Sequence, residues 1–143
     1  MTTRTRTACF AAALTLTFIG CGKSPEGGQP GTSETFTVSA PMLPVMLKQG
    51  DKQTVSIKVD RDASFKEDIA VKHEEPKGLK VEFSKAVLGE QTIKPGEPGE
   101  IVMSITADKD ATPGDHVVKV IATPGKGTAT HKDVKVKVEA VAK

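Results

Sequence analysis

The sequence predicts an all-β fold: a two-sheet antiparallel sandwich of about seven short strands, preceded by an export leader and a flexible linker. Three observations lead there. After residue 21 the chain holds fifteen Val and six Ile but only four Leu, and β-branched side chains suit a pleated surface. Apolar and polar residues alternate at period two in seven separate runs, and nothing after the leader sustains a 3.6-residue period. Turn formers separate the runs, among them Gly50-Asp51, Pro95-Gly96, Pro98-Gly99, Pro113-Gly114 and Pro124-Gly125. Pro presets the first central φ of a type II turn, and Gly accepts the positive second one.

Taken in chain order, residues 1–20 come first. Arg4 and Arg6 precede an apolar stretch from Ala8 to Ile19, which is followed by the small Gly20; this is the layout of a secretion signal. A bilayer core needs about 20 apolar residues, so the stretch is too short to be read as a spanning helix. Phe18-Ile19-Gly20-Cys21 resembles the bacterial lipoprotein signal, with Phe18 standing where Leu is usual. The resemblance implies cleavage after Gly20 and a covalent lipid on Cys21 as the mature first residue. It also implies a bacterial cell-envelope location with the domain extracytoplasmic. Because Gly22 is not the Asp of an inner-membrane retention signal, the outer membrane is expected wherever two membranes are present.

Removing the leader changes the charge balance. The chain of 143 residues has a formal net charge of +2 from 20 Lys+Arg and 18 Asp+Glu. Arg4 and Arg6 account for the whole excess, which leaves 20 − 2 = 18 bases against 18 acids from residue 21 onward. A neutral domain lacks the positive field that nucleic acid demands. There is no Trp or Tyr, and only Phe36, Phe65 and Phe83 follow the leader, so stacking platforms for bases or sugars are scarce. Cys9 and Cys21 are the only cysteines, which leaves the domain without a disulfide or thiolate site.

Residues 21–34 comprise Cys21 and a segment, GKSPEGGQPGTSE, with nine Gly, Pro, Ser or Thr among thirteen residues. Such a composition is expected to be a flexible tether, averaging on the order of 20 Å end to end. Residues 35–143 make the domain. Its runs are Phe36-Val38-Ala40, Val55-Ile57-Val59, Ile69-Val71, Leu79-Val81-Phe83, Ile101-Met103-Ile105-Ala107, Val118-Val120-Ala122 and Val134-Val136-Val138. Pro41 and Pro44 bracket Met42 and Leu43 and are expected to interrupt the first strand and hold it at an edge.

The stretches GDKQTVSIKV, GLKVEFSKAVL and IKPGEPGEIVMSITADKDATPGDHVVKVIATPGKGTATHKDVKVKVEA resemble bacterial immunoglobulin-like domains associated with glycosidases and cell-surface proteins. The chain departs from antibody-type domains in having no cysteine pair, no core Trp and no corner Tyr. The resemblance implies a non-catalytic spacer or adhesion module. Its partner would be another envelope protein or a polysaccharide, besides the membrane reached through the N-terminal lipid.

Within a sandwich of that topology the third and sixth runs are neighbours, which is expected to bring His73 and His116 to one pole with Glu74, Asp108, Asp110 and Asp115. Imidazoles and carboxylates together suit a divalent metal. A metal-binding envelope protein is therefore the alternative reading, and a glycan-binding accessory a weaker one; otherwise no cofactor is expected beyond the lipid. Lys72, Lys119, Lys135 and Lys137 are expected to face outward from one sheet as a basic stripe. The first strand should begin at the pole opposite the acidic loops, with the tether entering there. There is no Gly-x-Ser-x-Gly elbow, phosphate-cradling loop, cysteine nucleophile or His-Glu-x-x-His motif, so no enzyme activity is expected.

Overall fold

A computed structural model of the chain describes residues 22–86 and 89–141. Residues 1–21, where the leader, the Gly20 cleavage position and Cys21 are expected, lie outside the described residues, as does Lys143. The described residues form eleven strands and no helix: β1 (Gly22–Lys23), β2 (Gly27–Gly28), β3 (Thr35–Ala40), β4 (Val45–Lys48), β5 (Lys52–Arg61), β6 (Ile69–Glu74), β7 (Leu79–Phe83), β8 (Gln91–Ile93), β9 (Glu100–Ala107), β10 (Gly114–Pro124) and β11 (Thr130–Glu139). The seven runs read from the sequence are β3, β5, β6, β7, β9, β10 and β11. One sheet has the order β1-β3-β5-β9-β7, with β2 also paired to β3, and the other has the order β4-β11-β10-β6-β8.

Burial follows the alternation. Ile57, Ile101, Met103 and Ile105 from the first sheet and Val71, Val118, Val120 and Val134 from the second are fully buried between the layers. The intervening residues of β5 and β11 face solvent. Close-packed aliphatic rows of this kind supply the main favourable term in folding. Pro41–Pro44 carry the chain from one sheet to the other, so β3 and β4 continue in one direction on different layers. That switch makes β4 and β11 parallel, whereas the remaining strand pairs are antiparallel.

One pole gathers the turns around 62–68, 94–99 and 125–129; the other gathers 49–51, 75–78 and 108–113. At the first pole Arg61 on β5 crosses the gap between the layers. Its Nη1 donates to the Glu67 carbonyl and its Nη2 to the Ile93 carbonyl, each at 2.9 Å. The guanidinium lies 5.8 Å from the Phe65 ring centroid, and Phe65 in turn stacks at 5.2 Å on Phe36. Burial lowers the Arg61 pKa, opposed by the charges of Asp68 and Glu97, and the group stays ionised because a guanidinium titrates far above neutrality.

The segment after Cys21 is not the free tether its composition suggests. Gly22 pairs with Ala40 and Lys23 with Ser39; further along, Gly27 pairs with Phe36 and Gly28 with Thr35. The Ser24 backbone donates to the Val38 carbonyl at 2.8 Å, and Val38 N–H returns a bond to Ser24 Oγ at 2.9 Å. Thr130 Oγ1 donates to the Pro25 carbonyl at 2.7 Å, while Gly28 and Thr128 exchange backbone bonds of 2.8 and 2.7 Å. Residues 22–28 thus form a strap across the side of the sandwich, tying β3 of one sheet to the start of β11 in the other. β4 covers β11 only from Val136 onward, and the strap covers the edge below it. Glycine is required here because an added Cβ at Gly27 would meet the Phe36 ring at 2.5 Å.

Candidate functional site

The histidines and carboxylates expected at one pole do not come together. β6 and β10 are neighbours, but His73 is registered with Val120, while His116 lies four residues further out, opposite Val136. At about 3.3 Å per residue the two backbone positions are offset by roughly 13 Å along the strands. β10 continues past the end of β6, where Glu74 faces Lys119, so its outermost residues pair with β11 alone. Parity, which puts both histidines on the inner row, carries no information about this offset.

His73, His116 and Glu74 each have a local contact instead. The His73 ring is nearly enclosed and meets Phe83 edge-on at 4.9 Å. Its Nε2 is 4.0 Å from Glu75 Oε2, and its buried Nδ1 has no partner. His116 Nε2 is 2.7 Å from the Thr112 carbonyl oxygen. Glu74 faces Lys119 Nζ at 3.8 Å, whereas Asp108, Asp110 and Asp115 are exposed on the rim. Among the described residues no three His, Cys, Asp or Glu side chains converge in an arrangement able to hold a metal ion. At the other pole Asp60 and Asp62 are taken up by hydroxyls: Ser39 donates to Asp60 at 3.2 Å and Thr35 to Asp62 at 2.6 Å.

The four lysines do face outward, but they do not form a continuous basic stripe. Lys72 Nζ pairs with Glu90 at 2.8 Å, and Lys119 pairs with Glu74. Register places Asp133 opposite Lys119 and Asp115 opposite Lys137, with Val117 opposite Lys135. The face is an interleaved pattern of both signs, ordinary for a solvated sheet surface.

The structure draws attention elsewhere, to the side where the described chain begins. Gly22 lies beside the Pro41–Pro44 crossover: a Cβ added to it would fall 3.3 Å from Met42 Cγ and 2.7 Å from Lys132 Nζ. Met42 is 55% exposed, Leu43 81% and Met46 48%. A groove lined by Ala40, Pro41, Met42 and Leu43 opens onto the polar outer face of β5 at Ser56 and Lys58. The loop was legible only as an interrupted strand, and the strap only as a linker.

The two layers, with β3-β5-β9-β7 facing β11-β10-β6, settle the architecture. The domain has an immunoglobulin-like fold. No protein-family model matches its sequence, and no curated protein matches it either. Solved structures do match this immunoglobulin-like chain in shape. A family 123 glycoside hydrolase from Clostridium perfringens aligns with 70% of the chain at a TM-score of 0.53 and 11% identity. A lipoprotein from Bacteroides thetaiotaomicron aligns with 73% at 0.52 and 16%. A conjugative transposon lipoprotein from Bacteroides eggerthii aligns with 69% at 0.50 and 13%. The matched region spans 23% of the hydrolase, 80% of the first lipoprotein and 95% of the second. At these identities the likeness is one of fold.

Proposed function

We propose that the protein is a bacterial lipoprotein whose immunoglobulin-like domain is a non-catalytic binding or structural module of the cell envelope. The carrying observation is the position of Cys21: it closes the Phe18-Ile19-Gly20-Cys21 motif and immediately precedes the first strand, at Gly22. Lipid on that residue would hold an extracytoplasmic domain at the membrane, on the outer membrane in a two-membraned cell. Several acyl chains give lasting attachment where one does not. Two of the matched folds, from the Bacteroides species, belong to proteins described as lipoproteins, which supports this reading.

The non-catalytic reading is supported by the filled interior and by the register that keeps His73 and His116 apart. The partner would be an envelope protein or polysaccharide met on the exposed poles and sheet faces. The test is metabolic labelling of the full chain with a fatty acid, together with membrane fractionation. The wild type should take up label and sediment with membranes, and Cys21→Ser should lose the label and become soluble. An unlabelled wild type, or a Cys21→Ser chain that still sediments fully, would overturn the proposal.

A further inference from the structure

We infer that the Pro41–Pro44 crossover is a membrane-docking loop that inserts Met42 and Leu43 into the interfacial region of the bilayer carrying the lipid anchor. This rests on the lipoprotein reading of Cys21. Three observations select the bilayer as occupant.

The first is position. If Cys21 is the acylated first residue, a single peptide bond joins the anchor to Gly22, and Gly22 is held in register with Ala40, the residue before the loop. Strap residue Ser24 is bonded to Val38 of β3 and Pro25 to Thr130 of β11, so no slack chain separates the domain from its anchor. The apolar tip is thereby kept within a few residues' length of the lipid surface.

The second is exposure. Leu43 and Met42, at 81% and 55% exposed, are the two most exposed large apolar side chains among the described residues. They are adjacent in sequence, with Met46 following on β4. Grouped exposed apolar side chains mark interaction sites, whereas single ones do not.

The third is charge. Lys58 lines the groove below the tip, Lys132 Nζ lies beside Gly22, and Lys23 is exposed next along the strap, opposite Ser39. Glu100 is the acid in the groove, and it accepts a hydrogen bond from Ser56. Flexible lysines around an apolar tip can reach lipid phosphates while their stems lie along the acyl boundary. The outcome is a domain lying on its side, with both poles directed along the membrane plane.

The test uses the lipidated full-length product. The mature chain would retain only the acylated Cys21, so Leu43→Cys introduces a single labelable thiol. At 81% exposure that site tolerates the change. The label is an environment-sensitive nitrobenzoxadiazole dye, and the protein is reconstituted alone into vesicles of phosphatidylethanolamine and phosphatidylglycerol. Dye at position 43 should emit to the blue and be quenched by lipids carrying a nitroxide near the headgroup. The same dye at Lys80→Cys, on the opposite edge strand β7, should emit as in water.

Water-like emission at position 43 from protein that sediments with the vesicles overturns the docking while leaving the lipoprotein reading intact. A blue shift without nitroxide quenching also overturns it, since a second copy of the chain then covers the loop. Failure to associate with vesicles at all, with no acyl group on Cys21, sinks both.

Discussion

Replacing Gly27 with Val tests whether the segment after Cys21 is a strap or a tether. The new Cβ would fall 2.5 Å from Phe36 Cζ and 3.0 Å from the Thr128 carbonyl oxygen. Phe36 cannot retreat easily, since it is 1% exposed and stacked on Phe65. Either the core absorbs the added volume, at about 1–3 kcal/mol, or the strap lifts. Lifting breaks the Ser24–Val38 pair, the Thr130–Pro25 bond and the two Gly28–Thr128 bonds, each worth about 0.5–1.5 kcal/mol net. Over those five bonds lifting costs about 2.5–7.5 kcal/mol, so absorption in the core is the cheaper route, and because Phe36 is enclosed the expected loss is about 2–3 kcal/mol. For a domain of this size, about 4 °C per kcal/mol converts it to a fall in Tm of about 8–12 °C. Thermal unfolding followed by circular dichroism measures this, with Glu26→Val as the control because Glu26 is exposed. Trypsin cleavage after Lys23 supplies a second readout and should accelerate in Gly27→Val. A Tm within about 2 °C of the wild type, with unchanged cleavage, would falsify the strap, since a free tether is indifferent to the substitution.

Three further outcomes are expected. Gly99→Ala would drive a Cβ into the Val59 carbonyl oxygen and prise apart the bond from Val59 N–H to the Gly99 carbonyl, now 2.7 Å; a loss of about 2–4 kcal/mol should appear as a lower urea midpoint at unchanged slope. Arg61→Met removes both bonds that join β5 to the Glu67 and Ile93 carbonyls and should cost about 2–3 kcal/mol in the same assay. Arg61→Lys should recover less than half of that, because one ammonium cannot reproduce the two-pronged geometry. Saturating Zn²⁺, Cu²⁺ or Ca²⁺ should leave the melting temperature unchanged, because register separates His73 from His116; a rise of several degrees would reveal a site.

What was legible followed from one-sided burial. β5 and β11 alternate cleanly because each has one face on the core and one in water, and the inner-row assignment of Val55, Ile57, Val59, Val134, Val136 and Val138 is met in the structure. β8 went unread because Gln91–Ile93 is too short for a period to emerge. Register failed for a different reason. The parity of His73 and His116 depends on each strand alone, whereas their separation depends on how far β10 outruns β6, which no local pattern encodes.

The strap was illegible for a subtler reason, and the same reason ties it to function. Its contacts come from backbone groups, one serine hydroxyl and the absence of side chains at Gly27 and Gly28, so a docked segment and a solvated one can have the same composition. The mechanical consequences differ greatly. A free tether of thirteen residues would let the domain wander on the order of 20 Å from its anchor and face any direction. With Gly22 registered on Ala40, that freedom is gone, and any force on an acylated Cys21 passes straight into β3. If Cys21 carries the proposed lipid, orientation at the membrane would become a property of the β1–β3 pairing, and a partner would meet the two poles and the far edge at β7 in one defined attitude. Under this reading, loosening the strap should alter which faces are labelled by impermeant reagents on intact cells even when the domain remains folded and anchored.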